Sequence, residues 1–110
     1  MSKFASEAAL QRAVVKILES LGIWVIRTGV SVKRGKRGTQ SGEPGMPDLW
    51  TPLGWIEVKL PGEKLSPDQE AWHNKARKHG HSVRVAVVRS VSVTLKVIES
   101  WKRCELGVWR

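Results

Sequence analysis

What this chain has little of narrows it first. It holds one cysteine, Cys104, so no disulfide can close within the chain, and a reducing compartment is expected. Three histidines beside one cysteine do not make a zinc site. His73, His79 and His81 fall in a polar helix end and the turn after it, and read as surface or phosphate contacts. No run of about 18 apolar residues occurs, so no membrane span is indicated. No charged stretch followed by an apolar one opens the chain, so no signal peptide is expected and secretion is not. Acidic residues are scarce, 10 against 19 Lys and Arg, which leaves a net charge of +9 and a pI near 10.3. On one small domain such a surplus implies a polyanionic partner, nucleic acid first and an anionic membrane surface second. A membrane-surface protein would carry a basic amphipathic helix, and the helical segments here mix both signs. Tyrosine is absent and phenylalanine occurs once, against six tryptophans.

With 110 residues the chain is expected to form one domain, 1–110, around a modest core. Leu10, Val14, Ile17, Leu18 and Leu21 recur at helical spacing over 7–21, with Ser6 as N-cap and Gly22 as stop. Ile23 to Arg27 reads as a short strand. Residues 28–45 form the loosest segment, with five Gly, one Pro and the basic residues Lys33, Arg34, Lys36 and Arg37. This flexible basic loop, about 29–45, reads as a phosphate-contacting arm in preference to a merely solvated one. After 48–60, discussed next, Pro61-Gly62 turns the chain, and Ser66 or Pro67 opens a helix to about Lys78 with Ala71, Trp72 and Ala76 inward. Ser82 to Val88 reads as a buried strand. Ser90 or Ser92 caps a last helix through Trp101, with Leu95 and Ile98 inward. Trp24 and Trp72 are expected in the core. The order helix, three strands, helix, strand, helix implies an α/β domain with a central mixed sheet flanked by helices.

Gly45 to Lys59 reads Gly-Met-Pro-Asp-Leu-Trp-Thr-Pro-Leu-Gly-Trp-Ile-Glu-Val-Lys. Trp55, Glu57 and Lys59 alternate with Ile56, Val58 and Leu60, the period of a strand. An antiparallel hairpin around Thr51–Gly54 sets Trp50 opposite Trp55 and Asp48 opposite Glu57; a slip of one residue would mix polar with apolar on one face. The two carboxylates then sit with Cβ atoms about 4.5–5.5 Å apart. Their repulsion, about 4 kcal/mol near 4 Å at an effective dielectric of 20, is relieved by Lys59 or by a divalent cation. Few protein oxygens with room for water and phosphate suit Mg²⁺. Pro47 stiffens the approach and aims Asp48. Trp50 and Trp55 share the face of the carboxylates, where they either shape a groove or pack under the long loop.

Gly45-Met46-Pro47-Asp48 followed by Glu57-Val58-Lys59 resembles the Pro-Asp…(Asp/Glu)-x-Lys nuclease core. The chain is most similar to the virus-type replication–repair nuclease (VRR-NUC) family in its stand-alone form. That family shows a Glu in the first helix and a Gln opening the helix after the Glu-x-Lys strand; here these fall on Glu7 and Gln69. Each has a second explanation, Glu7 as a first-turn carboxylate favoured by the helix dipole and Gln69 as the partner of Ser66 in a capping box. The resemblance covers about residues 6–100. It implies a restriction-endonuclease-like core and a Mg²⁺- or Mn²⁺-dependent deoxyribonuclease acting in repair, recombination or phage replication. It further implies a cytoplasmic setting in a bacterial or phage-infected cell. Asp48 and Glu57 would hold the metal, with the Val58 carbonyl and Glu7 as further ligands. Lys59 would act on the water or the phosphate, and Gln69 would support the site. Arg77 and Lys78 would join the basic loop on DNA; if the loop makes no contact, the footprint falls among Arg77, Lys78, Arg84 and Lys102. Linear, flapped and branched DNA all remain open, and junction cleavage would imply a homodimer. The alternative is a non-catalytic, basic nucleic-acid-binding module that keeps the fold.

Overall fold

The computed structural model describes residues 4–28 and 43–108. Lys33, Arg34, Lys36 and Arg37 lie outside the described residues. The first helix, α1, spans Glu7–Ser20. Ser6 caps it, its Oγ accepting the Ala9 N–H at 3.1 Å. The helix ends in a Schellman motif: Gly22 N–H reaches Glu19 O and Ile23 N–H reaches Leu18 O, at 2.9 and 3.0 Å. Gly22 takes φ 78°, which explains a glycine there. Leu10, Val14, Val15 and Leu18 form the buried stripe.

Four strands follow in two groups. β1 (Ile26–Arg27), β2 (Leu49–Trp50) and β3 (Trp55–Val58) are antiparallel neighbours. β4 (Val85–Val88) lies parallel to β3 on its other side, so the sheet order is β1-β2-β3-β4 and the sheet is mixed. The crossover between β3 and β4 carries α2 (Pro67–Arg77), and α3 (Val91–Val108) closes the chain. Helices therefore flank a mixed sheet, as the order of elements implies. Among the described residues no helix is long and apolar enough to cross a membrane.

The hairpin register is Leu49 opposite Ile56 and Trp50 opposite Trp55. Thr51 sets its turn. The residue is buried, its hydroxyl donates to Gly54 O at 2.7 Å, and the same oxygen accepts the N–H groups of Leu53 and Gly54. One sheet face carries Leu49, Ile56, Val58 and Val88 into a core with Leu10, Val14 and Leu18 of α1 and Ile98 of α3. The other face bears Trp55 and Glu57, each of which meets α2. Central β3 is thus covered on both sides, and Ile56, Glu57 and Val58 are all fully buried.

Several expectations need correction. The strand expected at 23–27 shrinks to Ile26–Arg27. Trp24 stands 63% exposed and is not core. Trp72 is half-buried, edge-on to Trp55. Leu21, the C-cap of α1, is exposed, and so is Leu95, because Thr94 and Ile98 set the inward stripe of α3. Thr94 affords this by donating its hydroxyl to Ser90 O at 2.9 Å. Ala71 is exposed while His73 is buried; His73 follows Gln69 by four residues and so shares its inward face. His73 is therefore no surface contact, and burial, aided by the nearby Arg77 charge, holds its pKa below the ordinary value.

Candidate active site

Asp48 follows Pro47 just before β2 and reaches β3. Its Oδ2 accepts the Val58 N–H at 2.9 Å. Thr28 fixes the backbone from the other side. The Thr28 N–H donates to Asp48 O at 2.9 Å, and its Oγ1 donates to Pro47 O at 2.6 Å. Pro47 itself is fully buried, so the segment that aims Asp48 is held on three counts.

Glu57 sits next along the same face. Gln69 donates Nε2 to Glu57 Oε2 at 3.0 Å, and its Oε1 accepts the Ser66 N–H at 2.8 Å. Ser66 Oγ accepts the Gln69 N–H in return, so the expected capping box is present and α2 begins beside Glu57. Both explanations of Gln69 hold together. Gly45 matters to this seat. It takes φ 81°, and a Cβ there would overlap the Asp68 carbonyl and come within 2.8 Å of Gln69 N. Only a glycine lets the approach to Pro47 lie this close to the start of α2.

Glu7 completes the group. One oxygen each from Glu7, Asp48 and Glu57 lie within 4.8 Å of one another, close enough to hold one metal ion. Each strand carboxylate spends one oxygen on the protein. The other Glu57 oxygen, Oε1, is buried with no hydrogen-bond partner among the described residues. An unmatched carboxylate oxygen in the interior is costly unless it is protonated or meets a cation.

The titration behaviour agrees. Burial, reinforced by the Asp48 charge, pushes the Glu57 carboxyl up to about 8. Burial also raises Asp48 against the opposing pull of the Val58 N–H, and raises Glu7 against the pull of Lys59. Lys59 thus lies where its charge acts on all three carboxyls. Its own backbone N–H donates to Val88 O at 3.1 Å. Val58, whose carbonyl is the other expected ligand, is fully buried and lies between Glu57 and Lys59 in the sequence.

Arg77 and Lys78 are exposed at the far end of α2, about 12 Å along the helix from Gln69. They do not join the acidic group. Arg84 is half-buried and Lys102 is exposed.

Two supporting residues carried no local signal. Thr28 acts on Pro47 and Asp48 from 19 and 20 residues away. Arg89 donates Nη1 to Leu60 O and Glu63 O, both at 2.8 Å, fastening the turn that follows Lys59. The parallel β3–β4 pairing is the signal that finds Arg89, since Val58 lies beside Val88.

A family model described as the VRR-NUC domain matches residues 6–91, a span that includes all of Glu7, Asp48, Glu57, Lys59 and Gln69. A solved structure described as a VRR-NUC domain is similar at a TM-score of 0.62 and 29% identity, over 84% of this chain and 94% of that one. No curated protein matches the chain. A mixed sheet with an acidic trio at its centre and a family match across most of its length place the chain in the VRR-NUC domain family, a family of nucleases.

Proposed function

We propose that residues 1–110 act as one nuclease domain, a Mg²⁺- or Mn²⁺-dependent deoxyribonuclease that hydrolyses phosphodiester bonds in flapped, branched or junction DNA. The observation that carries the reading is the pairing of a committed and an uncommitted oxygen on Glu57. Gln69 fixes Oε2, while buried Oε1 lacks a partner among the described residues and two further carboxylates stand within 4.8 Å. An all-oxygen donor set of few protein ligands fits Mg²⁺ or Mn²⁺. Asp48, Glu57 and Glu7 would hold the ion, with the Val58 carbonyl. When bound, a divalent cation polarises the scissile phosphate and lowers the pKa of an attacking water.

The chain's own residues do the rest. The Val58 N–H and Gln69 hold the two strand carboxylates in place, so the site is set before substrate arrives. Lys59 brings a positive charge to the same place, where it orients the water and stabilises charge gathering on the phosphate oxygens. Water adds to phosphorus, the bond from phosphorus to one ester oxygen breaks, and that oxygen leaves with a proton. Lys33, Arg34, Lys36 and Arg37, with Arg77 and Lys78, supply phosphate contacts that position DNA without reading bases. Cutting a four-way junction on two strands takes two such sites, and therefore a homodimer on that substrate.

The test is incubation of the chain with labelled linear, flapped and four-way DNA in Mg²⁺, Mn²⁺, Ca²⁺ or chelator, beside Asp48→Asn. Cleavage in Mg²⁺ or Mn²⁺ that is lost in chelator and in Asp48→Asn is the expected result. DNA binding without cleavage under any metal would identify the non-catalytic binding module instead.

A further inference from the structure

Trp24 departs from how large aromatics are normally kept. An enclosed tryptophan removes about 150–250 Å² from water, yet 63% of Trp24 is exposed. Leu21 and Ile26, close to it in sequence, are exposed by 44% and 41%. An exposed cluster of this kind is the informative departure from ordinary burial.

Its surroundings give it a direction. The Trp24 ring meets Trp50 edge-on, with centroids 5.1 Å apart at 83°. Trp50 lies opposite Trp55 in the ladder, and Trp55 meets Trp72 of α2 at 5.4 Å and 67°. Two indole pairs, Trp24–Trp50 and Trp55–Trp72, are thus set side by side through the Trp50–Trp55 ladder pairing. Trp50 follows Asp48 by two residues and Trp55 precedes Glu57 by two, so Trp50 and Trp55 share their face with the acids. Trp72 of α2 packs on Trp55, while Trp24, on Trp50, stands open to solvent. A T-shaped contact occupies one edge or one face of an indole, and among the described residues Trp24 remains 63% exposed.

We propose that Trp24, propped by Trp50, is a stacking platform for an unpaired base of the DNA that occupies the acidic site. In the β1–β2 register Ile26 faces Trp50 and Arg27 faces Leu49, so Trp24 stands four residues along and one strand across from Asp48, on the order of 14 Å, a reach of a few nucleotides. Charge selects the occupant. A net charge of +9 attracts a polyanion and, with no polyanion between them, repels a second copy of the same chain. Every base offers a π face, so stacking selects unpaired over paired nucleotides without reading sequence. This inference rests on the nuclease reading for its substrate class, and it adds what the acids cannot give, a physical preference for flapped or branched DNA over continuous duplex.

The test compares affinities for a flapped duplex and a fully paired duplex of equal length, by fluorescence anisotropy in Ca²⁺, for the unaltered chain, Trp24→Ala and Trp24→Phe. Thermal melting accompanies each variant, and an exposed side chain is expected to leave it unchanged. Trp24→Ala should weaken the flapped complex by on the order of tenfold and the paired complex little, while Trp24→Phe keeps most of the affinity. Equal loss on both DNAs, or loss on neither, overturns the platform. So does sedimentation showing a dimer of the free chain that Trp24→Ala dissociates. Should Trp24-dependent flap binding appear while no DNA is cleaved in Mg²⁺ or Mn²⁺, the nuclease reading fails and the platform stands.

Discussion

Gln69 holds Glu57 with one end of its amide and Ser66 with the other. The Nε2 donates to Glu57 Oε2 at 3.0 Å and the Oε1 accepts the Ser66 N–H at 2.8 Å. The amide's orientation is fixed at the Ser66 end, because a backbone N–H can only donate and so must meet the amide oxygen. Helix capping and the placing of a buried acid are therefore one structural act.

That double role can be split by substitution. Gln69→Glu keeps an acceptor for Ser66 but sets a second carboxyl against Glu57, which below its folded value of about 8 can share its proton with it. Its melting temperature should stay close to the original while single-turnover cleavage falls by on the order of a hundredfold or more, the scale of losing one placed polar group in an active site. Gln69→Ala should lose about 1 kcal/mol of stability with the cap. Unimpaired cleavage by Gln69→Glu would show that the amide serves the helix alone.

Glu57 predicts how metal-free stability depends on pH. Its carboxyl stands at about 8 in the fold, against an ordinary value of 4.5. Between those values the folded chain keeps a proton that the unfolded chain has released, so stability falls as pH rises and levels off above the folded value. Asp48 and Glu7 are raised as well and act in the same direction. Glu57→Gln should therefore melt higher than the unaltered chain at pH 8 and nearly with it at pH 5. Mg²⁺ should recover stability at pH 8 only where Glu57 is present, with proton release on binding. Melting curves across pH, with and without Mg²⁺, decide this; a flat profile for the unaltered chain contradicts it.

The hairpin was legible because its cues agree. Alternation from Trp55 to Leu60, a Thr-Pro-Leu-Gly turn and two facing tryptophans admit one register, and Trp50 does pair with Trp55. The caps at Ser6 and Ser66 were legible for the same reason, being local. What stayed hidden depends on distant partners. Thr28 looks like any loop threonine until Pro47 is beside it. His73 looks like a surface residue until α2 is seated through Gln69. Leu95 was expected inward by periodicity, but a buried threonine at 94 turns the α3 stripe by one residue. Trp24 was placed in the core from its type, and the two-residue length of β1 leaves it uncovered.

Glu7 separates two roles. In the first turn of α1 its charge favours the helix dipole by up to about 1 kcal/mol, and one of its oxygens also lies within 4.8 Å of those of Asp48 and Glu57. Glu7→Gln should lower the melting temperature slightly, and burial of the native carboxyl works against even that loss. Cleavage should fall by orders of magnitude, with the Mg²⁺ requirement raised. If turnover is kept while the melting temperature drops, Glu7 is a helix residue only.

Thr28 tests whether the backbone behind Asp48 matters to the metal. Its hydroxyl donates to Pro47 O at 2.6 Å and lies 3.2 Å from Asp48 O, while its N–H donates to the same Asp48 carbonyl. Thr28→Val keeps the branched shape and the N–H and removes only the hydroxyl. Losing that bond should cost about 1 kcal/mol of stability. The sharper readout is the Mg²⁺ concentration for half-maximal single-turnover cleavage. With the Pro47–Asp48 segment free to shift, the Asp48 carboxylate is aimed less well, and that concentration should rise severalfold. Thr28→Ser, which keeps the hydroxyl, should restore it. A plain stability effect would lower the melting temperature and leave the Mg²⁺ midpoint alone, and that result would reduce Thr28 to a staple in the fold.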